Sequence, residues 1–547
     1  MKLLQKYAIA CIFLVALLLR FYALSTNPPA LTWDEAAWGF NAYTLAHTGR
    51  DEFGKFLPLS YLESFGDFKP PVYAYLSVLP VLMFGLTEFT TRFASAFFGS
   101  LTVLISYFLV LELFHSAKQK KVLALGTSLL LAISPWHILL SRAAFEANVA
   151  TFFIVLGTFL FLWATRADKN LKYLFLPFLS FAVATNTFNT SRIFLPMFVI
   201  VLLLAKRKVL FRHRKMSILS MIPAIIVSIP LGLFLLTPQA KLRFQEVNIF
   251  SDIQVIERVN QEIKNDNNAA FSKVIHNRRL AYGVEYLRHY FDNLDPAFLF
   301  IHGDGNPKFS IQDVGQMYLW EAPFLVFGTL LLFRRREGNW MLLPFWLILG
   351  IIPAATARET PHALRIETVL PVPQILVVYG VVLFAESILK IKNKILNLQI
   401  KYAIFGLISI TALFNFAYFV HTYFVHYPVT YASEWQYGYK QAVSYAESVK
   451  GKYQHIYMTQ DLGRPYIYVL YYGQYPPDAL KQANVTREAL GFVHVNTLEK
   501  YAFLNELPFD KPNTLYINTS GKVPKEAKVL KQFLLPNGNP VLTAYEK

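Results

Sequence analysis

About eleven stretches of this chain are apolar over nearly their whole length: 6–24, 90–114, 122–139, 144–164, 173–187, 193–205, 217–237, 317–333, 339–355, 366–387 and 402–421. A bilayer asks for about 20 mostly apolar residues per helical span, with every backbone polar group paired inside the helix. The chain is therefore read as an α-helical polytopic membrane protein. Its 54% hydrophobic and 16% aromatic content supports that over an ordinary soluble enzyme. The first run is long for a signal peptide and "STNPPA" behind it is a poor cleavage site, so it is expected to remain as an anchor with a cytoplasmic amino terminus.

The formal charge of +17 is concentrated in a few clusters: Ala117 to Lys121, Arg166 to Lys172, Lys206 to Lys215, Arg334 to Arg336 and Lys390 to Lys394. With eleven spans, all five fall on the cytoplasmic side, as the positive-inside rule requires. They are topology signals and not a nucleic-acid surface. The one cysteine, Cys11, excludes an intrachain disulfide and a thiolate metal site. No Walker or dinucleotide fingerprint is present, so no nucleotide cofactor is expected.

The same topology places loop 25–89, the turn at 186–192, loop 237–316 and everything after 421 on the outer side. After about residue 431 the long apolar runs give way to short ones, "HIYMTQ", "FVHVN", "TLYINTS" and "PVLTAYE", with helical stretches near 436–449 and 464–472. A small extracytoplasmic α/β domain over 431–547 is expected behind a membrane domain over 1–425.

The first outer loop is the richest in signals. In "LTWDEAAWGFNAYTLAHTG", Thr32 followed by Glu35 and closed by Gly49 is a capping box opening a helix. Glu35 then has a structural role available, and Asp34 could simply favour the positive end of the helix dipole. In "SFGDFKPPVYAYL", Asp67 and Lys69 stand before Pro70 and Pro71, which suit the first turn of an interfacial helix; Lys69 could snorkel to head groups or hold a lipid phosphate. "FLFIHGDGNPKFS" offers His302, Asp304 and Asn306 in an ordered turn. "ARETPHALR" offers Arg358, His362 and Arg365 at the mouth of a span. Arg142 and Arg192 fall on the same side, where the charge rule alone would not put them. A carboxylate pair and several cations at head-group height suit an anionic lipid.

The DE pair at 34–35, "KPP" at 69–71, "SPWHILLSR", "GDGN" and "PHALR", in this order, resemble the GT-C membrane glycosyltransferases of glycosyltransferase family 39, whose relatives are the protein O-mannosyltransferases and the lipid A aminoarabinose transferases. The resemblance covers residues 1–421. It implies the GT-C fold and an inverting transfer from a polyprenyl-phosphate sugar, undecaprenyl in a bacterial chain, to a hydroxyl of a protein, glycolipid or cell-wall acceptor. Carried over, Asp34, with Glu35 beside it, is the catalytic acid pair, Asp34 acting as general base. Lys69, Arg142, Arg192 and Arg365 hold the donor phosphate, and Trp33, Asp67, His302, Asp304, Asn306 and His362 line the substrate pocket. Some relatives use a divalent metal, for which Asp34 and Glu35 would be the ligands. The chain departs from the pattern at Ala36, Ala37 and Trp38, where aminoarabinose transferases carry an arginine, and at Phe68, where many relatives place an acid. Two other classes stay open on sequence alone: a lipid-linked sugar flippase, and a structural membrane protein.

Overall fold

Each of the apolar runs carries a helix over most of its length in the computed structural model, which describes residues 2–240, 248–390, 398–488 and 493–547. Among the described residues, five helices are long and apolar enough to cross a bilayer: Glu88–Leu113, Glu146–Ala164, Arg214–Leu235, Val372–Lys390 and Leu398–Thr430. A sixth span is bent by 54° between Lys120–Ala132 and Pro135–Arg142. Others expected to span are shorter, such as Tyr7–Phe21, Ser191–Ala205 and Leu342–Thr356. At about 1.5 Å per residue, 15 residues reach only some 22 Å, so the flanking turns and neighbouring helices must complete the crossing.

The first half is built from α1 (Lys2–Phe21), α2 (Trp33–Thr48), a short hairpin of β1 (Leu62–Ser64) and β2 (Asp67–Lys69), α3 (Val72–Phe84), α4 (Glu88–Leu113), α5 (Lys120–Ala132), α6 (Pro135–Arg142) and α7 (Glu146–Ala164). The α5–α6 bend has a physical cause. Pro135 brings no N–H to continue the ladder, and Arg20 of α1 donates to the freed carbonyls of Leu131 (3.3 Å) and Ala132 (3.2 Å) while contacting His137 Nδ1 at 2.6 Å. A broken span is what the flippase reading asks for, but here a protein side chain holds its carbonyls.

The basic clusters gather at one end of the helix bundle. Arg166 pairs with Glu112 at 2.8 Å, Lys206 donates to Asn339 Oδ1 at 2.8 Å, and Arg335 lies 3.6 Å from Glu386. Most of the Lys390 to Lys394 cluster lies outside the described residues. At the other end sit α2, the hairpin and the carboxy-terminal region.

That region carries a seven-stranded sheet in the order β4-β5-β6-β3-β7-β9-β8, with β3 His455–Thr459, β4 Asn484–Arg487, β5 Val493–Leu498, β6 Tyr501–Leu504, β7 Thr514–Thr519, β8 Lys528–Leu534 and β9 Pro540–Glu546. Among the described residues only β6-β3-β7 are parallel. Central β7 is buried on both faces, by helices Tyr439–Val449 and Pro465–Tyr472 on one side and by a Tyr457, Tyr516 and Tyr545 cluster on the other, as parallel strands usually are. The sheet's core is continuous with Leu31, Ala36, Ala37 and Phe40, so the sheet domain seats directly on α2. Tyr468 Oη donates to Leu31 O at 3.0 Å, and Tyr471 Oη meets Thr91 Oγ1 at 2.8 Å.

Helices Glu321–Arg335 and Val372–Lys390 cross at two glycines. A Cβ on Gly328 would strike Leu376 O, and one on Gly380 would strike Phe324 O. In lipid, helix association depends on such close backbone approach. Gly380→Leu should lower stability by about 1–3 kcal/mol or more through overpacking against backbone, read as a fall in melting temperature in detergent; an unchanged value would show that the crossing can open at no cost.

Candidate active site

Thr32 and Glu35 form the capping box that the sequence announces. Glu35 N donates to Thr32 Oγ1 at 3.2 Å, Thr32 N donates to Glu35 Oε2 at 3.0 Å, and Gly49 closes α2 in the left-handed region at φ 67°. Glu35 does more than cap. Its Oε1 accepts Arg92 Nε at 2.8 Å and Ala144 N at 2.9 Å, and its Oε2 accepts Arg92 Nη2 at 3.2 Å. Arg92 also donates to Leu24 O (3.1 Å) and Pro28 O (2.8 Å), and neither side chain has any exposed area. Glu35 thus ties the segment before α2, the first turns of α4 and the α6–α7 junction into one knot. Sequence reasoning missed Arg92; its signal was an arginine one turn into a span.

Asp34, one residue earlier, turns the other way. Its side chain is half exposed and forms an ion pair with Lys69, which is buried. The Lys69 ammonium lies 5.3 Å from the Trp38 ring centre and 5.2 Å from that of Phe65. Burial pulls the Lys69 pKa down, but the Asp34 and Asp67 carboxylates more than offset this and hold it above the ordinary lysine value. Lys69 is therefore a buried cation facing a carboxylate, not a snorkelling one. Glu146, at the start of α7, feels the charges of Lys69, Asp34 and Asp67, and Arg192 feels Asp67. Arg192 Nε reaches Thr185 O at 3.4 Å, while its buried Nη2 has no hydrogen-bond partner among the described residues. Asp34, Asp67, Lys69, Glu146 and Arg192 make one electrostatic group; Glu146 was not foreseen.

A second group stands beside it. Asp304 accepts Asn306 N at 2.8 Å and Ala363 N at 2.7 Å, and burial pushes its pKa up to about 6. His362 Nδ1 is 3.8 Å from Asp304 Oδ2, its ring is 4.8 Å from that of Phe309, and burial drives its pKa well below the usual histidine value. Arg365 donates to Glu359 O at 3.2 Å, and both Asp304 and His362 feel its charge. His302 contacts Gly303 O at 3.0 Å, and Asn306 Oδ1 takes Lys308 N at 3.0 Å. Here "GDGN" and "PHALR" clamp each other. The groups touch through aromatics: Phe309 is 5.5 Å from Phe145, and Lys308 Nζ lies 5.6 Å from the centre of Trp33.

Arg142 is not in either group. It has no exposed area and donates to Tyr423 Oη (3.1 Å), Leu19 O (2.8 Å) and Asn27 O (2.7 Å), so its guanidinium braces the chain between α1 and the 421–427 segment. Arg358 similarly reaches Asn248 O at 3.3 Å. A metal held by Asp34 and Glu35 does not fit this geometry. Both Glu35 oxygens already accept two N–H donors each, and Asp34 faces the Lys69 ammonium. Among the described residues no group of three or more His, Cys, Asp or Glu side chains is placed to hold a metal.

Glu52, buried behind the hairpin, has its pKa pushed up to about 8, first by burial and further by the neighbouring Asp51 charge. The native protein then holds a proton that the unfolded chain releases above its ordinary value of 4.5, so this residue lowers stability as pH rises from 4.5 through 8. Glu52→Gln should therefore melt higher than wild type at pH 8, with the gap closing towards pH 4.5; parallel melting curves at both pH values would contradict the assignment.

Solved structures similar to this one belong to one fold class. ArnT from Cupriavidus metallidurans in the apo state matches with a TM-score of 0.53 at 13% identity, covering 98% of this chain and 97% of that one. ArnT from the same organism bound to undecaprenyl phosphate matches at 0.50 with the same coverage and identity. The Archaeoglobus fulgidus oligosaccharyltransferase tethered to an acceptor peptide matches at 0.52, again at 13% identity, covering 86% of this chain and 63% of that one. The chain therefore has the GT-C fold and is a multi-pass membrane protein. Within that class, residues 10–248 match the family described as dolichyl-phosphate-mannose-protein mannosyltransferase, which bears out the resemblance drawn from the DE, KPP and "SPWHILLSR" elements. A curated relative, an uncharacterized protein of Aquifex aeolicus, is 31% identical over 134 residues; the match spans 22% of this chain and 31% of that protein.

Proposed function

We propose that this chain is a membrane glycosyltransferase that moves a sugar from a polyprenyl-phosphate donor to an acceptor hydroxyl at the outer face of the membrane, with inversion. The observation that carries the reading is the Asp34–Lys69 pair, a half-exposed carboxylate against a buried ammonium beside further carboxylates. Asp34 takes the proton of the acceptor hydroxyl as its oxygen bonds to the anomeric carbon. The bond from that carbon to the phosphate oxygen breaks, and the pair of electrons leaves on the lipid phosphate. Lys69 faces the charge that grows there, and a preplaced cation in a water-poor site counts for most in such a step. Arg192, with a buried donor to spare, and Arg365 are the further cations; Arg142 and Glu35 are scaffold. Trp33 and Asp67 line the pocket, and the Asp304–His362 clamp forms its far wall. The bound undecaprenyl phosphate of the fold neighbour supports a lipid-phosphate donor. The acceptor is a protein or glycolipid hydroxyl.

The test is transfer of labelled sugar from a panel of polyprenyl-phosphate sugars by membranes containing the protein. Consumption of one donor, with label appearing in a product no longer linked to the polyprenyl phosphate, is the expected result. No consumption and no binding of any polyprenyl phosphate would remove the reading.

A further inference from the structure

The short hairpin carrying Lys69 cannot hold its own shape. It has three residues in each strand, and an isolated two-stranded hairpin is marginal even when longer. Its turn is also unfavourable. Phe65 and Gly66 both have positive φ, 61° and 83°, which Gly adopts freely but an aromatic residue does not. Something outside must hold Phe65 there.

The sheet domain does so. Phe65 is buried within that domain's apolar core, its ring 5.7 Å from Tyr466 in an edge-on arrangement. Its carbonyl accepts Val493 N, from the first residue of β5, at 3.1 Å. Arg464, itself at φ 35°, places its guanidinium 5.4 Å from the Phe65 ring centre and donates to Val493 O at 3.4 Å. Arg487 of β4 pairs with Glu63 of β1. From the membrane side the hairpin receives Asn41 Nδ2 on Ser64 Oγ at 3.3 Å and the Asp34–Lys69 pair itself.

We propose that the sheet domain positions Lys69: Phe65 is a plug seated in that domain, Arg464 and Arg487 brace it, and the ammonium stands at working distance from Asp34 only while the domain is docked. The inference rests on Lys69 being the cation that holds the donor phosphate. It gives the carboxy-terminal domain a part in donor binding, through positioning residues that touch no substrate.

The variant that separates positioning from folding is Phe65→Gly. Glycine suits the positive φ, so the turn is kept or favoured while the plug is lost. Two readouts are taken on the purified full chain. Hydrogen exchange of the amides over 62–69 should become faster in Phe65→Gly and in Arg464→Ala, while that of β3 and β7 at the centre of the sheet stays slow, even though the cavity left by Phe65 lowers the melting temperature. Binding of undecaprenyl phosphate should weaken by about 10- to 100-fold, the scale of a misplaced binding group. The Glu63→Arg and Arg487→Glu single variants should each weaken binding, and the double variant should restore it. Unchanged exchange over 62–69 in Phe65→Gly would overturn the positioning role whatever the donor result. Faster exchange with unchanged lipid binding would overturn the link to Lys69. If the wild type binds no polyprenyl phosphate, the proposed function fails while the exchange result still decides whether the domain holds the hairpin.

Discussion

Membranes carrying Asp34→Asn should turn over the donor about 10²- to 10⁴-fold more slowly than wild type, the contribution of a positioned general base, with an unchanged melting temperature. The side chain is half exposed, so its loss leaves no cavity. One complication follows from the geometry. Asp34 is also one of three carboxylates, with Asp67 and Glu146, that raise the pKa of buried Lys69, so donor binding has to be measured beside turnover. Loss of turnover with binding retained identifies the base. Loss of both identifies only the pair, and normal turnover would sink the mechanism.

The neighbouring residue should behave in the opposite way. Glu35→Ala leaves Arg92 as a buried, unpaired cation and frees Thr32 N, Ala144 N and the start of α2. Breaking a buried ion pair from one side costs about 3–5 kcal/mol, with about 1 kcal/mol more for the cap. Poor expression or a melting temperature lowered by many degrees is expected, and Arg92→Ala should match it. A stable, folded Glu35→Ala protein with reduced turnover would instead return Glu35 to the chemistry.

The largest part of the fold was legible because its signal is local. Eleven apolar runs, the capping box at Thr32 and Glu35, the Gly49 stop and the four alternating runs after 431 each depend on residues close in sequence, and each lies on the helix, cap or strand expected. What escaped was short or lacked contrast. The hairpin at 62–69 has three-residue strands and a Phe-Gly turn, and β4, β6 and β8 pair with buried neighbours without announcing a pattern. Several expected spans also end early or bend, at Pro135 most clearly, because a periodicity of apolar residues does not report where the backbone ladder breaks.

The site divides along the same line. From residue types in order, the sequence points to Asp34 and Lys69 as candidates at the membrane edge near two polar loops, since charge at that height is costly without a use. Which charges are taken up by neighbouring segments emerges from the packing of the folded chain. Arg142 and Arg92 read alike as arginines near a span end, but their partners come from residues tens to hundreds of positions away, Tyr423 and Glu35 among them. The same holds for Lys69, whose pairing with Asp34 depends on a hairpin seated in a domain some 400 residues downstream. Sequence fixes what a group can do chemically; which neighbour satisfies it is a property of packing between segments, and no local pattern encodes that.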